Sequence, residues 1–538
     1  MFSQRLRIPM FLLSFLLGFV SLMPSMVYAD STPIVNPKQV YTYAQMTKDI
    51  QALAAAYPDL IRYESIGKTA YGRDIWAVAL GNGEAAIFIN GSHHAREWLT
   101  TTLNLYMLEQ YAQAYVRDGQ IGNYSARQSL NETTIWFVPM VNPDGVTLQQ
   151  FGASAFPQSV RTRLIQMNGG SANFDRWKAN AKGVDLNRQY DADWAHIKNA
   201  VSYPNFMNYK GTAPEQAEET VALVAFTKRI DPEIAVSYHT AGSILYWNFH
   251  TQKANLSRDQ RLARTFSSVT GYSLVAPSTN PSGGGYTDWF ILTYGRPAFT
   301  PELGTKTGET NLPISAFSSE WKKNKTIGLW LADEGYKLWY QKNQSKRVVQ
   351  DYAASFITTE TKKAYNQSNF LSPASIQISP QTLQSIRRSG NWFLIQTYAG
   401  PKWIYEAHPQ IGPAETVDVY LDLKDKVPLY ASPLDQTAEA LLPPQETHAI
   451  KRWKSWYLVE VQKETKWINL TNQSVRELIP VNQNLTLSEP VALYDEPGGK
   501  VILEISEVPQ DVTAVRQWQG WVEIQLPNEQ TGWVQLDL

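Results

Sequence analysis

A chain of 538 residues, 43% of them apolar, is too long for one ordinary domain and carries enough hydrophobic side chains for several packed cores. Its formal net charge of −1 excludes recognition of nucleic acid or of an anionic membrane through global charge. The absence of cysteine excludes structural disulfides, thiolate metal sites and a lipid-bearing cysteine.

At the N-terminus, Arg5 and Arg7 precede an apolar run from Met10 to Met23, and Val27-Tyr28-Ala29 offers small-residue cleavage chemistry before Asp30. Residues 1–29 therefore read as a secretory signal peptide, which places the mature protein outside the cell. The run is short for a spanning helix and is followed by Pro24, and no later stretch is long and apolar enough to span. No membrane association is expected after cleavage.

Residues 36–345 alternate short apolar runs with longer periodic segments, the pattern of an α/β domain. Strands are expected at Ala85–Ile89, Thr134–Met140, Ile234–Tyr238 and Ala298–Thr300. Helices are expected at Trp98–Tyr115, Gln216–Lys228 and Ser319–Tyr336. The first strand runs into His94-Ala95-Arg96-Glu97, where an imidazole and a carboxylate three residues apart share one side of a turn and can reach a single cation.

Beyond about residue 345 the texture changes to short strands punctuated by turn residues, and the sequence repeats itself. Tyr365, Tyr430 and Tyr494 recur at spacings of 65 and 64 residues. A tryptophan opening a strand follows each of them: Trp392, Trp456 and Trp521. A second follows in turn: Trp403, Trp467 and Trp533. Three all-β units are expected, at 350–412, 413–476 and 477–538. Strand-turn-strand units of this size, ending as in Gly532-Trp533-Val534, resemble bacterial SH3-like domains. That resemblance implies small barrels that bind the cell wall.

His239 closes the apolar run Ile234-Ala235-Val236-Ser237-Tyr238, and sheet ends of this kind are where α/β folds assemble sites. Two histidines, one carboxylate and a position left for water describe a catalytic zinc site rather than a structural one. Such a site needs a base. Glu302, just beyond the run that ends at Thr300, is placed to take a proton from water and hand it to a leaving amine.

His94-x-x-Glu97, Asn142-Pro143-Asp144-Gly145, His239 and Glu302 occur in the order found in zinc metallocarboxypeptidases, and residues 40–340 resemble that family. The resemblance implies a mixed twisted sheet flanked by helices and one zinc ion held by His94, Glu97 and His239. It also implies Glu302 as catalytic glutamate and Asn187 and Arg188 as a clamp for the substrate's terminal carboxylate. A guanidinium and an amide suit that task through parallel hydrogen bonds. Arg96 is expected beside the metal, assisting substrate.

Several positions depart from the digestive members. Lys178 stands where they carry an oxyanion-binding arginine, with Arg176 two residues before it, and either cation suits the role. Gapless counting from Glu302 puts Asn280 where they carry a mobile tyrosine, which leaves Tyr286, beside Gly283-Gly284-Gly285, as the substitute donor. Thr287 falls at the position that lines their pocket for the terminal residue. No space for a folded inhibitory pro-segment is expected between residue 29 and Lys38.

The segments around Lys178, Asp185 and Tyr286 resemble the bacterial γ-D-glutamyl-diaminopimelate peptidase branch, whose substrates are peptidoglycan stem peptides. The expectation is a secreted, cell-wall-associated zinc peptidase cutting γ-D-Glu–meso-diaminopimelate. The alternative is a broad-specificity carboxypeptidase trimming protein C-termini.

Overall fold

The computed structural model of the chain describes residues 33–435, 437–471 and 475–536, so the signal peptide expected at 1–29 lies outside the described residues. Among those residues no helix is long and apolar enough to cross a membrane. The chain divides between Lys342 and Asn343 into two compact units.

Among the described residues the first unit contains ten strands: β1 (Ile61–Lys68), β2 (Asp74–Leu80), β3 (Ala85–Gly91), β4 (Gln120–Ile121), β5 (Tyr124–Ser125), β6 (Thr133–Val138), β7 (Ile234–Thr240), β8 (Ile244–Tyr246), β9 (Ser273–Leu274) and β10 (Ala298–Leu303). Strands β4 and β5 form a separate small hairpin, and the other eight make one sheet in the order β1-β2-β6-β3-β7-β10-β8-β9. Its centre, β6-β3-β7-β10, is parallel, and antiparallel pairing begins at β2 on one side and β8 on the other. This is the mixed sheet the family resemblance implies.

The central strands are apolar on both faces because helices cover both. Ile87 and Ile89 of β3 enter one core, together with residues of helices Tyr43–Ala56, Leu99–Val116 and Ile327–Asn343. Phe88, between them, enters a second core with helices Glu218–Ile230 and Tyr286–Tyr294. The period-two alternation of a strand makes that division.

The helix expected over Ser319–Tyr336 is two helices, Phe317–Asn324 and Ile327–Asn343. The break has a visible cause. Tyr111, from helix Leu99–Val116, donates its hydroxyl to the Lys325 carbonyl (2.9 Å) and accepts the Gly328 amide (3.1 Å), taking over groups that a continuous helix would pair internally. Gly328 admits the ring, since a Cβ there would lie 2.5 Å from it.

The second unit is all-β, with a seven-stranded sheet, a ten-stranded sheet and a two-stranded one. Each expected repeat carries the same edge-on contact of its tyrosine with its strand-opening tryptophan: Tyr365–Trp392, Tyr430–Trp456 and Tyr494–Trp521, with ring centroids 5.3, 5.2 and 5.1 Å apart. The boundary expected at 476/477 falls inside strand Arg476–Leu487, which pairs with Glu415–Leu423 on one side and Gln510–Trp518 on the other. The second and third repeats therefore share one continuous sheet.

Candidate metal centre and pocket

Strand β3 ends at Gly91, where a Cβ would strike the Thr100 hydroxyl at 2.8 Å and the Asn104 amide at 2.9 Å. Lacking one, the strand end sits tight against helix Leu99–Val116, and the Ser92 amide reaches the Thr100 hydroxyl at 2.8 Å. A short turn, Ala95–Glu97, closes with the Glu97 amide donating to the His94 carbonyl at 3.0 Å. That turn sets the two side chains next to each other.

His94 Nδ1 lies 2.8 Å from Glu97 Oε1, and His239 Nδ1, from the end of β7, lies 2.9 Å from Glu97 Oε2 and 3.1 Å from His94 Nδ1. All three side chains are buried, and their ligand atoms lie within 4.8 Å of one another. Two imidazole nitrogens and a carboxylate aimed at one point are the donor set of catalytic zinc, so the residues fit the ion the sequence implies. The outward-facing nitrogens are also engaged. His94 Nε2 lies 3.1 Å from Asp185 Oδ1 and His239 Nε2 lies 3.3 Å from the Ser237 hydroxyl, contacts of the kind that orient ligating rings.

Burial would raise the Glu97 pKa, but the two imidazoles overturn that and hold it well below the carboxylate range, keeping Glu97 anionic. Asp185 behaves alike, with His94 and then Lys178 outweighing its burial. Glu302 goes the other way. Its burial, reinforced by the Glu97 charge and opposed by His239 and Lys178, raises it to about 7.

A cavity of about 520 Å³ opens beside the cluster, lined by His94, Lys178, Asn187, Arg188, Thr287 and Glu302, with further residues of the 275–288 stretch. The two cations left open by the sequence separate here. Lys178 faces the cavity, whereas Arg176 is not among its described lining and bonds the Asn168 carbonyl (2.8 Å) with its guanidinium over the Phe206 ring at 3.9 Å. Arg176 is thus occupied in packing, which corrects its expected catalytic placement. Arg96 is likewise absent from the described lining and donates to the Arg176 carbonyl at 3.1 Å.

Asn187 accepts the Tyr286 amide at 3.1 Å, and Arg188 donates to the Lys198 carbonyl at 2.8 Å. Thr287 meets the Thr300 hydroxyl at 2.7 Å on the cavity wall. The expectation that Tyr286 serves as a mobile donor is corrected by its position. Its ring is fully buried and its hydroxyl pairs with that of Thr227 at 3.1 Å, so helix geometry turns it into the core while its neighbour Thr287 faces the cavity. Sequence reasoning missed Asp185 as the partner of His94. The only signal was an acid two residues ahead of the expected clamp.

Residues 46–327 match the zinc carboxypeptidase family. Gamma-D-glutamyl-L-diamino acid endopeptidase 1 of Lysinibacillus sphaericus is 36% identical over 301 residues, 56% of this chain and 73% of that protein. Metallocarboxypeptidase A of Trichophyton tonsurans is 28% identical over 244 residues, 44% of this chain and 49% of that protein. The solved structure of thrombin activatable fibrinolysis inhibitor aligns with 57% of this chain and 77% of its own at 18% identity, with a TM-score of 0.46. With the family match, the 36% identical relative and the ligand set in agreement, the chain belongs to the zinc carboxypeptidase family and is a zinc peptidase.

Proposed function

We propose that this peptidase hydrolyses an amide bond in peptidoglycan stem peptides, at γ-D-Glu–meso-diaminopimelate, and that it is secreted and held at the cell wall by its C-terminal repeats. The observation that carries the reading is the 36% identity, over 301 residues, to a protein named for cleaving γ-D-glutamyl-L-diamino acid bonds. The expected signal peptide and the three expected SH3-like units support the location.

His94, Glu97 and His239 would hold the zinc ion, which would supply polarisation of the scissile carbonyl and a more acidic water. Glu302, on the cavity wall, takes the proton from the attacking water and returns it to the leaving amine. Lys178 faces the charge that develops on the carbonyl oxygen. Asn187 and Arg188 hold the free carboxylate of the residue being released, with Arg96 bracing the segment that carries Lys178. Thr287 gives the pocket a polar wall, which suits a residue bearing a second amine and a second carboxylate better than an aromatic one.

The test is to incubate the purified protein with L-Ala-γ-D-Glu-meso-diaminopimelate and follow products by mass spectrometry. Release of diaminopimelate supports the reading. No cleavage, alongside good cleavage of ordinary peptides at their C-termini, overturns it and favours the broad-specificity carboxypeptidase, a reading that the likeness to metallocarboxypeptidase A supports.

A further inference from the structure

His93, immediately before the ligand His94, has no place in the chemistry above, yet it is fully buried and both its ring nitrogens are engaged. Nδ1 lies 3.3 Å from the Ser237 hydroxyl and Nε2 lies 2.8 Å from the Tyr190 hydroxyl. The same Ser237 oxygen lies 3.3 Å from His239 Nε2. The His93 and His239 rings also stack, with centroids 5.6 Å apart and planes inclined by 26°. A continuous polar chain, His239–Ser237–His93–Tyr190, therefore runs from a metal ligand into the core.

Proton bookkeeping gives this chain a direction. His239 presents Nδ1 to His94 and Glu97, so Nδ1 must be bare to take a cation and the ring's single proton sits on Nε2. That N–H donates to Ser237 Oγ. Ser237 then has one hydroxyl proton, which goes to the bare Nδ1 of His93, and the Nε2–H of His93 donates to Tyr190. In this arrangement the donors of His239, Ser237 and His93 each meet an acceptor, and the opposite tautomer of His239 would put a proton on the metal face.

The far end of the chain is itself fixed. The Tyr190 amide donates to the Gly284 carbonyl at 3.1 Å and the Gly284 amide returns to Ala192 at 2.7 Å. Tyr190 also follows the clamp residues Asn187 and Arg188 by only two positions.

We propose that Ser237, His93 and Tyr190 are positioning residues that hold His239 in the tautomer and ring orientation that zinc binding requires. The inference does not depend on which peptide is cut, because its readout is zinc retention. Ser237→Ala is expected to raise the zinc dissociation constant about tenfold, measured by competition with a chromophoric chelator. His93→Phe is expected to weaken zinc severalfold. The double variant Ser237→Ala/His93→Phe is expected to be no weaker than Ser237→Ala alone, since the polar link from His93 to His239 runs through Ser237 and a phenyl ring keeps the direct stack.

Multiplying effects in the double variant would mean independent packing roles and overturn the proposal, because uncoupled sites add in free energy. Unchanged zinc retention in Ser237→Ala would overturn it as well. If His93→Phe does not fold, Tyr190→Phe, which removes a single oxygen, takes its place in the same cycle with the same two outcomes.

Discussion

Glu302 is the register partner of His239 across the parallel strands β10 and β7. A single strand pairing therefore sets the distance between a metal ligand and the carboxylate proposed as base, with no loop to vary it. For Glu302→Gln we predict unchanged zinc content and substrate KM, with kcat reduced on the order of 10²–10⁴-fold. Steady-state kinetics with metal analysis checks this, and near-normal turnover would remove Glu302 from the mechanism.

The same residue predicts a pH profile. Burial raises Glu302 to about 7, and it acts as a base only when ionised, so kcat/KM should fall as pH drops through its pKa. A bound dication favours the anion, which places the midpoint of that acid limb below about 7. A flat profile between pH 5 and 7 would contradict the assignment.

Lys178 and Arg176 offer a paired test. Lys178→Ala is expected to lower kcat about 10²-fold with little change in thermal melting, because it faces the cavity. Arg176→Ala is expected to lower the melting temperature while sparing kcat, because its guanidinium serves Asn168 and Phe206. The reverse pattern would exchange their roles.

Removal of residues 343–538, the second unit, should weaken sedimentation with purified cell walls while leaving cleavage of soluble peptides within about twofold. Equal sedimentation of both forms would refute the anchoring role of the repeats.

Glu132 predicts a pH dependence of stability away from the site. Burial, reinforced by Asp333, raises its pKa from 4.5 to about 8. The protonated form is favoured in the folded state, so the stabilisation is fully present below about pH 4.5 and is lost as pH rises through about 8. Glu132→Gln keeps a neutral amide there and should gain stability on the order of 2 kcal/mol at pH 8.5 relative to the parent, with no gain at pH 4. Chemical denaturation at the two pH values measures it.

The parts legible in the sequence were those encoded locally. His94 and Glu97 share one turn, and His239 and Glu302 follow apolar runs that read as buried strands, so the ligand set and the carboxylate proposed as base could be named before any contact was known. Contacts closed over long separations were not legible. The Asp185 contact to His94 spans 91 residues, and the fate of Tyr286 depended on which side of a helix start faced Thr227. The shared strand Arg476–Leu487 was hidden for a related reason: repeat spacing marks where a unit recurs, not where its sheet stops.

Tyr111 lies in the helix that begins two residues after Glu97, and its hydroxyl latches the chain at Lys325 and Gly328. The start of the final helix of the first unit cannot peel away without breaking that latch, so that end is held against local opening. The Gly328 amide should consequently exchange with solvent more slowly in the parent than in Tyr111→Phe, which lacks the accepting oxygen.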